Sequence, residues 1–338
     1  MAAMREALRL ACISRHGFGS KVGLQAVEPV SLPVIDLGLL GDGEHSRSRP
    51  LVAREIGRAC QSLGCFLVKN HGIHESVMRG ALEAASDFFD LSAEQKAELE
   101  SKDMRKPVRY YAGYKNTNEA RELLKHYAHP LGDWIRCWPM TPRDYRERMG
   151  RYATDVRKIA LLLMDAILES LGLGPAYLKD ELEKGMQVMA VNCYLERTQP
   201  DHMVGLAPHS DYGCITILLQ SCTGLHIFDK EGESWKEIPK VPDTLYVHIG
   251  DHLEVISNGK YKRLVHRAVL NSEKRISIAS IHGLSMNEKV TTAKELVDEQ
   301  HPKRYKESSF QDFVDFLSSK NKSTNGRSFI DSLMINGP

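Results

Sequence analysis

The chain has 338 residues, 42% hydrophobic and 26% charged, ordinary globular usage for one large domain or two of average size. With 45 Lys and Arg against 44 Asp and Glu the formal charge is +1, which excludes the electrostatic footprint of a nucleic-acid or membrane-surface binder. The longest apolar run, Ile159 to Met164, is too short to span a bilayer, and seven scattered cysteines with no C-x-x-C pair are no disulfide framework.

Residues 1–30 are basic and poor in acid, and read as a flexible arm or short surface helix in preference to an organelle transit peptide. A short apolar run follows at Leu32-Pro33-Val34-Ile35-Asp36-Leu37. Val52, Ile56, Ala59 and Leu63 then recur at helical spacing from Pro50 on, and Cys65-Phe66-Leu67-Val68 reads as a buried strand. Glu75–Phe89 predicts a helix, and Ser92 with Gln95 a capping box opening another. The tyrosine-bearing stretch 102–133 is either a long functional loop or a pair of edge strands. Thr141-Pro142 supplies an N-cap with Pro at the first helical position. From Tyr145 to Ile167 apolar residues step by three and four until Gly172, a long spine helix.

After Met186 the texture changes to short β-branched runs around Val191, Ile217, Ile227, Val247, His266 and Ile278, separated by Gly, Asp, Asn and Pro. Such even spacing predicts a sandwich or barrel. SSFQDFVDFLSS near the end reads as one more amphipathic helix. The expected organisation is an arm (1–30), a helix-rich region (31–185), a β core (186–300) and a C-terminal helix with tail (301–338), forming one compact unit.

Most of the functional inference turns on which of the 14 histidines matter. His209-Ser210-Asp211 is an H-x-D, and on a strand both side chains would share a face. Alone it carries little. His266 adds weight: it lies 55 positions beyond Asp211 in an apolar strand, where a buried histidine needs a partner. Two histidines and a carboxylate make the facial triad of non-haem Fe(II) sites, whose extra open positions favour iron over zinc. His248, His252 and the H-x-E of His252 and Glu254 are set aside, because a strand running into a turn lacks helical zinc-site geometry. Nine residues past His266, Arg275 and Ser277 share a strand face, and a guanidinium beside a hydroxyl suits a small carboxylate. Glu273 is the only acidic neighbour the sequence offers Arg275.

His209-x-Asp211, His266 and Arg275-x-Ser277 together resemble the signature of plant-type 2-oxoglutarate and Fe(II)-dependent dioxygenases. LPVIDL, the Leu63–Gly72 segment ending in Asn70-His71-Gly72, Asn192-x-Tyr194, and Ile249-Gly250-Asp251 with Ser257-Asn258-Gly259 extend the resemblance over roughly residues 31–334. The texture is closest to the specialised-metabolism branch that includes downy-mildew-resistance-like oxygenases. The resemblance implies a mixed α/β fold dominated by β, with a double-stranded β-helix (jelly-roll) core and flanking helices. It implies iron on His209, Asp211 and His266, and the distal carboxylate of 2-oxoglutarate on Arg275 and Ser277. Tyr194 would add a hydroxyl to that carboxylate, with Asn192 nearby. O2 is the second co-substrate and ascorbate a supporting reductant.

The implied reaction is hydroxylation, desaturation or demethylation of a small plant metabolite or hormone, coupled to decarboxylation of 2-oxoglutarate to succinate and CO2. An iron oxidase of this fold without 2-oxoglutarate and a non-catalytic jelly-roll binding module are the alternatives. Two departures stand out. Leu195-Glu196-Arg197-Thr198 replaces the Pro-Pro-Cys common after the N-x-Y. Ile281 stands where flavonoid-binding relatives tend to carry Phe, which weighs against a flavonoid substrate and leaves other aromatic or terpenoid substrates open. Tyr110, Tyr114, Tyr212 and Ile281 are the candidate pocket wall. The scattered thiols fit a reducing compartment, so the cytoplasm is expected, with the nucleus also open. The expected partners are a small-molecule substrate and no nucleic acid or membrane, the chain being a monomer or weak dimer.

Overall fold

A computed structural model describes residues 27–40, 48–113, 121–174, 177–196, 204–318 and 328–335. The strands are β1 (Val34–Asp36), β2 (Cys65–Lys69), β3 (Val108–Ala112), β4 (Arg121–His129), β5 (Gln187–Tyr194), β6 (Val204–His209), β7 (Ile215–Gln220), β8 (Leu225–Asp229), β9 (Ser234–Ile238), β10 (Leu245–Ile249), β11 (His266–Val269) and β12 (Arg275–His282). The helices are α1 (Arg49–Gln61), α2 (Glu75–Phe89), α3 (Ala93–Ala97), α4 (Leu131–Trp134), α5 (Tyr145–Ser170), α6 (Lys179–Glu183), α7 (Asp251–Ile256), α8 (Phe310–Ser318) and α9 (Phe329–Leu333).

Eight strands form one sheet in the order β1-β2-β10-β7-β12-β5-β4-β3, and four form a second in the order β6-β11-β8-β9. Every pairing is antiparallel except β1 with β2. The large sheet is covered on both faces, so its central strands are buried nearly throughout. Its outer face (Val191, Cys193, Ile217, Leu219, Val247, Ile276, Ile278) packs on α1, α2 and α5 in the main core. Its inner face meets the small sheet through Leu67, Leu218 and Tyr246 against Leu225, Ile227, Ile238 and Leu264.

Because side chains alternate across a strand, this layering sorts the sequence. The apolar half of each central strand goes to the helices. The other half places Tyr194, Asn192, Arg275, Ser277, Gln220, Thr216 and His248 on the inner face. The spine helix starts at Tyr145, three residues later than Thr141-Pro142 led us to expect, and Asp144 at its N-cap makes no side-chain capping bond. The capping box of Ser92 and Gln95 is present. The stretch 102–133 resolves into strands, β3 at the edge and β4 beside it. Among the described residues no helix is long and apolar enough to cross a membrane.

Tyr110 corrects one expectation. It points to the helix layer, where it is 3% exposed and lies edge-on to Phe88, so it is core and not pocket wall. Its hydroxyl donates to Glu122, which also takes a 2.9 Å ion pair from Lys96, and Lys96 donates to the Phe89 carbonyl at 2.6 Å. Breaking one side of so buried a pair strands the other charge. Lys96→Met should therefore cost about 3–5 kcal/mol, read as a fall in the urea midpoint at unchanged slope; a loss below about 1 kcal/mol, the level of a surface pair, would contradict this.

Candidate active site

β6 and β11 are antiparallel neighbours in a register that sets His209 opposite His266. His209 closes β6 and His266 opens β11, and their rings stand 4.2 Å apart. In each, Nδ1 faces the carbonyl two residues back, Ala207 O at 2.9 Å and Leu264 O at 3.4 Å. With Nδ1–H donating there, the Nε2 lone pairs are turned toward the site, the tautomer that metal ligation requires.

Asp211 lies two residues beyond the end of β6, so the turn and not strand alternation places it, contrary to the expectation for the H-x-D. Its Oδ1 is 3.5 Å from His209 Nε2 and 3.8 Å from His266 Nε2. The three ligand atoms lie within 4.8 Å of one another. That convergence fits one ion with bonds of about 2.0–2.2 Å. Two imidazoles and one carboxylate leave the rest of the ion's coordination sphere open.

The other oxygen of Asp211 is held from the large sheet. Oδ2 accepts from Thr216 Oγ1 at 2.6 Å and from His248 Nε2 at 3.0 Å, and these two residues face each other across β7 and β10. His248 was set aside in the sequence as a decoy; the structure makes it the residue that fixes the carboxylate. Burial alone would raise the Asp211 carboxyl, yet the His248 hydrogen bond and the surrounding imidazoles hold it well below the carboxylate range. Burial depresses His209 and takes His266 well below its ordinary value, so both stay neutral. An ionised carboxylate with two neutral imidazoles is the protonation state a divalent cation needs.

Arg275, at the start of β12, is 2% exposed. Its Nη2 donates to Gln220 Oε1 at 2.8 Å, its Nε to the Cys222 carbonyl at 3.3 Å, and its guanidinium lies 5.1 Å over the Tyr194 ring. Gln220 and Tyr194, not Glu273, are therefore its neighbours. Arg275 Nη1 is buried with no hydrogen-bond partner among the described residues. A buried cation with one unfilled donor is costly unless an anion meets it. Ser277 shares the face and sits opposite Asn192 on β5 and Gln220 on β7. Asn192 Oδ1 in turn accepts from Arg121 at 3.2 Å.

The remaining candidates separate. Tyr212 is fixed by packing: its ring stacks 4.3 Å from Phe313 and its hydroxyl pairs with Ser308 at 2.7 Å. Ile281 lies on the inner face opposite Thr216 and borders the same aromatic cluster. Tyr114, Arg197 and Thr198 lie outside the described residues. Glu254 is structural, accepting from the Arg263 amide and the Tyr305 hydroxyl.

Known proteins give the family. Residues 185–283 match the 2OG-Fe(II) oxygenase superfamily, and residues 32–149 match the model described as non-haem dioxygenase in morphine synthesis N-terminal. A rice (Oryza sativa subsp. japonica) protein named 2-oxoglutarate-dependent dioxygenase 21, chloroplastic, is 53% identical over 92% of this chain and 93% of its own. The chain belongs to the 2-oxoglutarate/Fe(II)-dependent oxygenases. Rice flavanone 3-dioxygenase 3 is 52% identical over 92% of this oxygenase and 95% of itself. DMR6-LIKE OXYGENASE 2 of Arabidopsis thaliana is 36% identical over 84% and 82%. A solved structure of JOX2 in complex with 2OG, Fe, and JA superposes with a TM-score of 0.78 at 24% identity, covering 97% of each chain, and so shows the jelly-roll fold. The enzyme uses Fe(II) and 2-oxoglutarate, as its family does.

His248 is the residue whose loss tests the built geometry. Partners that orient a metal ligand typically contribute about 10–100-fold in affinity, so His248→Leu should weaken Co(II) binding by that factor in a spectroscopic titration. Unchanged affinity would mean that Thr216 alone holds Asp211.

Proposed function

We propose that His209, Asp211 and His266 hold Fe(II), and that Arg275 with Ser277 binds the distal carboxylate of 2-oxoglutarate, in an enzyme that hydroxylates a small plant metabolite. The observation that carries this reading is the pairing of the triad with the buried, unpartnered Nη1 of Arg275. A guanidinium already tied to Gln220 and Cys222, and backed by Tyr194, presents a fixed donor edge to a carboxylate. When bound, iron and 2-oxoglutarate supply the oxygen chemistry, in which decarboxylation to succinate and CO2 is coupled to hydroxylation of a substrate C–H bond.

The protein's own residues position and exclude. His248 and Thr216 keep Asp211 Oδ2 occupied, so Oδ1 is the oxygen offered to the metal. The Ala207 and Leu264 carbonyls fix both imidazoles. Tyr194 backs the guanidinium with its ring, and Asn192, braced by Arg121, stands beside Ser277. An iron oxidase that dispenses with 2-oxoglutarate would release no stoichiometric succinate and CO2 on turnover.

Losing a hydrogen bond to a charged group costs about 1.5–3 kcal/mol, or roughly 10–150-fold at 1.4 kcal/mol per tenfold. Arg275→Gln should raise the KM for 2-oxoglutarate by that factor and leave Fe(II) affinity intact. The check is succinate release against hydroxylated product; an equal loss of iron binding would show that Arg275 supports the metal instead.

A further inference from the structure

The inner face of the large sheet carries two further cations, Arg109 and Lys125, that the proposed 2-oxoglutarate site does not use. β3 and β4 turn Arg109, Tyr111, Arg121, Leu123, Lys125 and Tyr127 to this face, with Arg109 directly opposite Lys125. No acidic residue of β3, β4, β5, β7, β10 or β12 shares that face, since Glu122 points to the helices. Arg109 makes no hydrogen bond or ion pair among the described residues, and its Nε is buried. Lys125, 8% exposed, has one bond, to the Met104 carbonyl at 3.2 Å, and sits 4.6 Å over the Tyr127 ring. Among the described residues Asp103, the carboxylate whose charge acts on both cations, is an exposed loop residue that accepts from the Arg105 amide and forms no ion pair with either.

Position argues against this pair serving 2-oxoglutarate. β3 lies three strands from β12, about 14 Å at an inter-strand spacing near 4.8 Å, beyond the reach of a five-carbon diacid anchored on Arg275. The contacts of β3 and β4 also differ from those of the central strands. The cluster between the sheets ends at Leu218 and Ala279, whereas Tyr127 packs with Met104, Trp134, Phe313 and Ile281 beneath α8. Tyr127, Val188, Ile281 and Thr216 form one cross-strand row, and Thr216 donates to Asp211. One cross-strand row of inner-face residues thus links Tyr127, beside Lys125, to Thr216 and through it to Asp211.

We infer that Arg109 and Lys125 are the receptor for a carboxylate on the substrate, whose apolar body lies along Tyr127 and Ile281 toward the triad. The inference rests on the oxygenase reading above and names its substrate class: an organic acid with a ring-sized or longer apolar body. A buried Lys125 beside a partly buried Arg109 is an unfavourable pair of like charges, and a carboxylate between them supplies a counter-charge and bidentate acceptors. The local electrostatics agree. Burial and the adjacent Arg109 bring Lys125 down to about 7, and burial with Arg121 depresses Arg109.

The test uses the full chain loaded with Fe(II), without O2, both with and without 2-oxoglutarate. The probes are acid and amide pairs of graded size: benzoate and benzamide, 4-hydroxycinnamate and its amide, naphthalene-1-acetate and its amide. The neutral flavanone naringenin is a further probe. The acid of at least one pair should bind tenfold or more tighter than its amide, and tighter than naringenin. In Arg109→Gln/Lys125→Gln the preference should shrink to within twofold while the amide's own affinity holds. Each single variant should keep or raise the melting temperature, since it removes a buried cation with no counter-ion; a fall would show a structural role instead. Amides that match their acids in every pair, a preference that survives the double substitution, or naringenin binding tightest would overturn the inference. Failure of the wild-type chain to bind 2-oxoglutarate would instead strike the oxygenase reading, because the acid–amide comparison is made without it as well.

Discussion

The register of one short strand pair governs the site. β6 and β11 meet so that the last residue of one, His209, faces the first residue of the other, His266. A slip of one residue would turn each imidazole to the opposite face, since side chains alternate with a period of two. The pairing is held by little length, but its flanks are fixed. β11 also pairs with β8, which packs in the cluster between the sheets through Leu225 and Ile227. Burial of that cluster therefore keeps two ligands 57 positions apart in sequence opposite each other.

Asp211 joins this small-sheet pair to the large sheet. Its two oxygens face different ways, Oδ1 toward the imidazoles and Oδ2 toward Thr216 and His248. The carboxylate is thus ionised and oriented before any cation arrives, and the ordering entropy of the ligands is already met by folding. The large sheet's inner face carries Arg275 in line with Tyr194, so the proposed carboxylate receptor stands on the same sheet as Thr216 and His248, which hold Asp211. Polar and apolar residues alternate along the same strands: Ile276 and Ile278 anchor the helices while Arg275 and Ser277 lie on the inner face.

Much of this was legible in the sequence because it depends on period and spacing. The helices at Glu75–Phe89 and Tyr145–Ser170 follow from their apolar steps, and the core strands from β-branched runs between turn residues. The triad was legible because its residue types are rare together. What escaped depends on tertiary contact. His248 looks like any strand histidine until β10 lies beside β7, and only then does it meet Asp211. β6 and β9 are short and only partly buried, so their sequences carry little periodic signal. Tyr110 was misassigned because an alternating strand offers two faces, and nothing local says which one meets the helices. Arg109 and Lys125 are ordinary surface types by sequence, and become informative only when cross-strand register sets them together inside.

The central claim is that the small sheet presents a His–Asp–His metal site and the facing large sheet a carboxylate receptor built around Arg275. Anaerobic titration of the Fe(II)-loaded chain with 2-oxoglutarate tests it directly, through the visible absorption band of the 2-oxo acid chelated to iron. The account predicts a saturable band at one equivalent, absent in Asp211→Ala. In His248→Leu the same band should reappear once the metal is raised to saturation. A full-strength band in Asp211→Ala, or none in the wild-type chain, would contradict it.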